Sequence, residues 1–371
     1  MLAETGASHE PAASPRGLAL FLLALLALPL GLTGCRDESP AHNVYFHAFG
    51  QHVVLSMVGV KRAEAERVSS LVERDLLFME KAWGSLHQGC LGRVNALLGT
   101  GHAFAAPPAL LPLVQRSREL AERSDHLFNP AAGGLGELWG FQEGETLRRQ
   151  PPDKASIEAQ VKARPRMTDL ETDDILLRAK KPGIKLDFGA IQTGYAIDRV
   201  IDLVRELGIH NAIINIGGDL RAIGTRGGQP WPVAIRNPVG GGVLGIMQLS
   251  GDESVFTTGD FERNFTYKGK SYHHVIDPRT GWPATGVRLV SVLHDNATTA
   301  AAAVHALMIA GPERWHEIAR ALSVHAVLLV DDQGRIHMDP TMARRMELLD
   351  RHAEVIEEPP LTPDGPGIPV P

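Results

Sequence analysis

His274, Asp277 and Arg279 stand close together in His-Val-Ile-Asp-Pro-Arg-Thr-Gly, 274–281. An imidazole, a carboxylate and a guanidinium on a turn fixed by Pro278 and Gly281 suit oxyanion chemistry. The arginine can grip phosphate oxygens bidentately while the histidine moves a proton beside them. Taken singly, a strand histidine is more often packed and an arginine more often solvated. Two glycine turns add weight. One is Asp187-Phe188-Gly189-Ala190, where an opening helix directs N–H groups and its positive dipole end at an anion. The other is Gly217-Gly218-Asp219, where paired glycines permit positive φ and leave room for a flat or bulky group. Thr257, Thr258 and Gly259 precede the histidine block.

These residues need elements to hold them. An apolar stripe of Ile191, Tyr195, Ile197, Val200, Ile201 and Val204 predicts a helix over 191–207, with Asp198, Arg199 and Arg205 off the stripe and Gly208 past its end. Other helical runs fall at 62–83, 109–123, 296–309 and 312–322, and Asp295 is expected to cap the Ala-rich one. Strand-like runs fall at 53–60, 175–178, 212–216, 233–235, 287–293 and 326–330. Short hairpin spacings after residue 230 make the class α+β, not a regular parallel βαβ array. The Pro-rich tail, 351–371, is expected to be disordered from 357 on.

Four blocks resemble the FAD:protein FMN transferase (ApbE-like flavin transferase) family. They are NPAAGGLGELWGF (129–141), LDFGAIQTGYAID with INIGGDLRAIG, TTGDFER with HHVIDPRTGWPA, and a weaker match in ATTAAAAVHALMIAG (297–311). The resemblance implies an ApbE-like fold of mixed sheets with flanking helices, forming two lobes around an FAD cleft. It also implies a reaction: FAD is cleaved at its pyrophosphate, AMP leaves, and FMN is esterified to a Thr or Ser hydroxyl of a redox partner protein, with Mg2+ assisting. In-line displacement at phosphorus needs mainly positioning and charge neutralisation.

Carried over by position, the resemblance sets Gly189 and Ala190 near metal and pyrophosphate, with the Ala190 carbonyl a metal ligand and Asp187 supporting the turn. Gly217, Gly218 and Asp219 would lie beside the flavin or ribityl chain, Thr257, Thr258 and Gly259 along the dinucleotide, and His274 near the scissile phosphate. Glu137 and Trp139 fall in the block that packs near the ligand. Three departures stand out. Gln192-Thr193-Gly194 replaces Ala-Lys-Gly, so Thr193 offers a hydroxyl in place of a cation. Phe49-Gly50-Gln51 replaces Met-Gly-Thr. Ala301 and His305 stand where the family has a metal-binding Asp and Thr. Magnesium prefers oxygen ligands, so this ligand set is altered, with Asp260, Asp277 and Asp295 as substitutes and His305 suiting a softer ion. The alternative reading is an FAD-holding lipoprotein that has lost turnover and donates flavin or assists maturation of a respiratory complex.

An apolar run at 17–32 follows Arg16 and precedes Leu32-Thr33-Gly34-Cys35, a bacterial lipobox. It is shorter than the ~20 residues of a spanning helix. Residues 1–34 therefore read as a lipoprotein signal peptide, Cys35 as the lipidated residue, and 36–350 as the flavin transferase-like domain in the periplasm-facing cell envelope. Which membrane holds the anchor stays open. With Cys35 acylated, Cys90 is left as a single buried thiol, so the two cysteines of this 371-residue chain form no disulfide framework. A formal net charge of −6, with no basic run or zinc spacing, argues against nucleic acid as a partner.

Overall fold

The computed structural model describes residues 41–84, 89–142, 147–350 and 352–361. The signal segment, Cys35 and residues 362–371 lie outside the described residues. A nine-stranded sheet runs across the molecule in chain order: His42–Ala48, Gln51–Met57, Ala212–Ile216, Asp219–Gly224, Gly251–Gly259, Val287–His294, Ala326–Asp331, Ile336–Met338 and Val355–Glu357. Its neighbours pair antiparallel except the last two strands, which are parallel.

Period-two alternation divides the apolar side chains between the two faces. Phe256, Val290, Val292, Val327 and Leu329 join one cluster, while Val255, Leu289, Leu293, Leu328 and Val330 join another. The first face is covered by the helices Arg62–Trp83, Gln192–Glu206 and Ala297–Ala321, the second by a three-stranded sheet of Met346–Leu348, Val243–Leu249 and Trp231–Arg236. This is the α+β class that the pattern predicts, with the mixed sheets that the resemblance implies. The helix at 62–83 and the strand at 212–216 have the predicted bounds. The runs 296–309 and 312–322 join as one kinked helix, broken at Gly311 (φ 75°, ψ 178°) before Pro312.

Three sequence expectations are corrected. Asn296, not Asp295, caps the Ala-rich helix: its side chain accepts from the Thr299 N–H at 2.9 Å, while the Asp295 side chain turns outward to solvent. Asp198 does not lie on an exposed face. It is buried under that same helix N-terminus, where its carboxylate accepts from the Ala297 and Thr298 N–H groups at 2.9 Å and pairs with buried Arg221. Arg221 is held in turn by Asp252 at 2.8 Å, so the charge is compensated on both sides. The tail is ordered through its first part, because Val355–Glu357 extends the sheet, Glu358 meets His337 at 2.7 Å and Leu361 is buried.

A third, aromatic cluster of Trp139, Phe141, Phe265 and Tyr272 lies under the hairpin Asn264–Tyr267/Lys270–His273. Trp139 is fully buried and donates from Nε1 to the Gly281 carbonyl at 2.8 Å, bracing the Pro-Gly turn. Cys90 is partly buried at the start of the helix Cys90–Leu98.

Candidate active site

A cavity of about 680 Å³ opens where the singled-out blocks of the sequence converge, large enough for a dinucleotide-sized ligand. Backbone pairing brings the first two blocks together. The Gly133 N–H donates to the Lys185 carbonyl at 2.8 Å and the Asp187 N–H to the Pro130 carbonyl at 2.9 Å, while Asn95 clamps Leu186 through both amide atoms at 2.7 and 2.9 Å. Asp187 closes its own turn, with Oδ1 accepting from the Gly189 N–H at 2.8 Å and Oδ2 from Gln142 at 3.3 Å. The Gly189 N–H is thereby engaged, so it is not the free anion donor expected of a bare helix start.

The second glycine turn adopts the backbone its residues allow, with φ of 64° at Gly217 and 110° at Gly218. Asp219 beyond it accepts from the Thr257 N–H at 3.2 Å, joining this turn to the strand on which the third block begins. Thr257 is bonded to Ser291 at 2.9 Å, and Thr258 donates to Glu262 at 3.3 Å. On the opposite wall the helix Gln192–Glu206 lies so close to Ala297–Ala321 that a Cβ at Gly194 would sit 2.5 Å from the Ala297 carbonyl oxygen. Ala301 is the small residue that meets it, and His305, one turn on, bonds through Nδ1 to the Ala301 carbonyl at 3.0 Å.

Of the residues singled out in the sequence, Asp187, Gly189, Ala190, Thr193, Gly217, Gly218, Asp219, Thr257, Thr258, His274, Ala301 and His305 line this cavity. Gly259 does not line it. It is pressed between Phe261 and the Arg288 carbonyl, a packing position. Asp277 and Arg279 do not line it either. Arg279 donates from Nε and Nη2 to both Asp277 oxygens at 2.9 and 2.8 Å, and the Asp277 carboxylate also takes the Arg279 N–H. Charges close together on one tight turn neutralise each other, so this pair braces the loop while Val275, Ile276 and Pro278 face the cavity. Glu137 is spent on Lys185 and Trp139 on the aromatic core.

Sequence reasoning passed over Gln51, Arg236, Glu262 and Arg263 as site residues, all of which line the cavity. Arg236 lies 4.7 Å over the Phe261 ring. Arg263 has a left-handed backbone (φ 32°) and donates to the Gln142 carbonyl. The signal was in the blocks themselves, since Glu262 and Arg263 close TTGDFER and Gln51 ends Phe49-Gly50-Gln51, whereas nothing in the sequence marked Arg236.

The electrostatics follow from burial. Desolvation raises the carboxyls of Asp187 and, more strongly, Asp219, and pushes Glu262 up to about 7. It holds the His274 imidazole down at about 3, with His305 and His273 adding repulsion, and lowers His305 as well. The site thus presents carboxyls shifted toward the protonated form and imidazoles shifted toward the neutral form beside two guanidiniums, an environment that lessens like-charge repulsion of a pyrophosphate. Its donors do not fit magnesium. Ala301 has no side-chain oxygen, His305 offers nitrogen, and among the described residues no three His, Cys, Asp or Glu side chains are grouped to hold a metal.

The profile of the ApbE family matches residues 56–328. The chain is 36% identical over 331 residues to an FAD:protein FMN transferase of Rhodobacter capsulatus, covering 89% of this chain and 63% of that protein's length. It is 32% identical over 241 residues to an FAD:protein FMN transferase of Klebsiella pneumoniae (strain 342), covering 63% of this chain and 71% of the relative. The fold is similar to the crystal structure of the ApbE protein from Thermotoga maritima, with TM-score 0.74, 27% identity, and coverage of 82% of this chain and 98% of that one. It is also similar to the flavin transferase ApbE from Vibrio cholerae, with TM-score 0.72, 25% identity, and coverage of 82% and 100%.

Proposed function

Because the chain belongs to the ApbE family, we propose that it is an FAD:protein FMN transferase working in the cavity between the glycine turns. The observation that carries this reading is the convergence of Asp187–Ala190, Gly217–Asp219, Thr257–Thr258 and His274 on one dinucleotide-sized space. The hydroxyl oxygen of an acceptor Thr or Ser attacks the FMN phosphorus. A phosphoester bond forms, the pyrophosphate P–O bond to AMP breaks, and the hydroxyl proton passes to His274, which lines the cavity; burial holds its imidazole low, at about 3, and the negative charge of a bound pyrophosphate raises its basicity. Arg263 and Arg236 offset charge on the phosphate oxygens, and the upward shift of the neighbouring carboxyls reduces their repulsion. No step is routed through a metal, since the donor set does not fit magnesium.

The acceptor in this reading is a flavin-carrying protein of an electron-transfer complex. The enzyme is held at the cell envelope, facing the periplasm, by a lipid on Cys35. The lipobox at 32–35 supports the anchor. Among the described residues no helix is long and apolar enough to cross a membrane. The replacement of the metal-binding pair by Ala301 and His305 favours one rival: an FAD-holding protein that donates flavin without turning over.

The test is AMP release by the domain after Cys35, given FAD and a threonine-bearing acceptor domain, with and without divalent cation. AMP formed together with covalent flavin on the acceptor is the expected result. Tight FAD binding with no AMP under either condition would establish the rival.

A further inference from the structure

A second cavity of about 200 Å³ shares Asn129, Ala132, Leu135 and Pro278 with the main one. Its other lining residues include Arg164, Arg166 and Arg279 against one carboxylate, Asp125. These charges differ in availability. Arg279 is closed on Asp277 and Asp125 reaches Arg314 at 3.3 Å, whereas Arg164 and Arg166 are exposed and enter no ion pair among the described residues. Their backbone is already shaped. Arg164 is left-handed (φ 44°), and Asn129, on the wall common to both cavities, donates to the Pro165 carbonyl at 2.8 Å.

Folding enlarges this cationic corner by joining two segments separated by residues 167–177, Lys-Ala-Arg-Pro-Arg at 162–166 and Arg-Ala-Lys-Lys-Pro-Gly-Ile-Lys at 178–185. Lys181 donates to the Arg164 carbonyl at 2.9 Å. Arg178, Lys181 and Lys185 are answered by Glu171, Asp169 and Glu137, which leaves Lys162, Arg164, Arg166 and Lys180 without an acid among the described residues. In a chain of formal net charge −6, such a concentration beside the cavity is a local field of opposite sign.

Resting on the flavin-transfer reading, we propose that the Arg164–Arg166 corner docks an acidic segment of the acceptor protein, placing residues next to the accepting hydroxyl at the wall shared by the two cavities. The side cavity has room for one or two side chains and none for a dinucleotide. The acceptor must insert a hydroxyl into the main cavity while its body stays outside, so its flanking residues fall on this rim. Guanidiniums there bind carboxylates with charge-assisted bonds and steer the encounter.

Two fluorescein-labelled peptides of equal length, alternating Asp-Thr and Asn-Thr, are titrated without FAD into the wild-type chain and the R164E/R166E variant and followed by anisotropy. The Asp peptide should bind about tenfold more tightly than the Asn peptide, with the preference fading as salt rises and lost in the variant. Equal or absent binding of the two peptides overturns the proposal, as does a preference that survives R164E/R166E. Displacement by AMP also overturns it, making the corner a nucleotide phosphate pocket. FAD affinity, measured in parallel by flavin fluorescence, should be the same in both chains and shows that the variant is folded. A wild-type chain that holds no FAD would remove the flavin-transfer reading while the peptide result stands as a separate fact.

Discussion

Asp277 grips Arg279 with both carboxylate oxygens, at 2.9 and 2.8 Å, across a turn that Trp139 fastens from beneath through Gly281. The guanidinium therefore shapes the loop and does not reach into the main cavity. Arg279→Ala should leave FAD affinity within about twofold of wild type. It should cost stability of about 1 kcal/mol or less, since the arginine side chain is 47% exposed. Isothermal titration with FAD and urea unfolding measure the two effects. A tenfold loss of FAD affinity would restore Arg279 as a phosphate ligand.

His274 lines the cavity with a ring kept neutral by burial. His274→Ala should lower the single-turnover rate of AMP formation on the order of 10²-fold while shifting Tm by only a few degrees. A collapse of Tm with the residual folded fraction fully active would assign the imidazole to packing.

Glu262 supplies a pH dependence whose sign is fixed. Its folded pKa, about 7, lies above the ordinary carboxylate value of 4.5. The stability it contributes is therefore fully present below about 4.5 and is lost as pH rises through 7, by up to about 3 kcal/mol. FAD binding should weaken over the same window, because an ionised carboxylate repels the pyrophosphate. Melting curves and FAD titrations from about pH 5 to 8.5 should show both slopes in the wild-type chain and neither in Glu262→Gln. Identical slopes in the two chains would exclude Glu262 as their source.

Ala301 and His305 face the cavity on successive turns of one helix. Ala301→Asp with His305→Thr installs hard oxygen donors there and should tighten Mg2+ binding by about tenfold or more, read by calorimetry on the FAD-free chain. Unchanged Mg2+ affinity would mean that this face of the helix is not where the metal is bound.

Asp198 is buried against Arg221 and bonded to two N–H groups of the next helix. Asp198→Ala should destabilise the chain by about 2–4 kcal/mol in urea unfolding, because it removes one of the two carboxylates on a buried guanidinium and leaves two buried N–H groups of that helix without an acceptor. A loss below about 1 kcal/mol would show that water replaces the carboxylate freely.

Much of the scaffold was legible because element type is encoded locally. A 3.6-residue apolar period over 62–83 and a short β-branched run at 212–216 each describe a segment without reference to the rest of the chain. The strands Asp219–Gly224 and Gly251–Gly259 were missed because polar residues interrupt their apolar pattern. Arg221 and Glu253 are buried in them, and their ion partners, Asp198 and Arg345, lie on remote segments.

The sequence by itself determined the kinds of element, the glycine turns and the blocks that mark the family, since each depends on neighbours within a few positions. Only the tertiary structure decided which charges are free to act. Asp277 and Arg279 look like active groups in the chain and prove to be occupied with each other, while Glu262 and Arg263 reach the cavity from the same hairpin region. Lys181 and Arg164 acquire their shared basic corner only when two separated loops meet. Charge interactions fall off over a few ångströms and depend on burial, so their partners are set by folded distance, which spacing along the chain does not record.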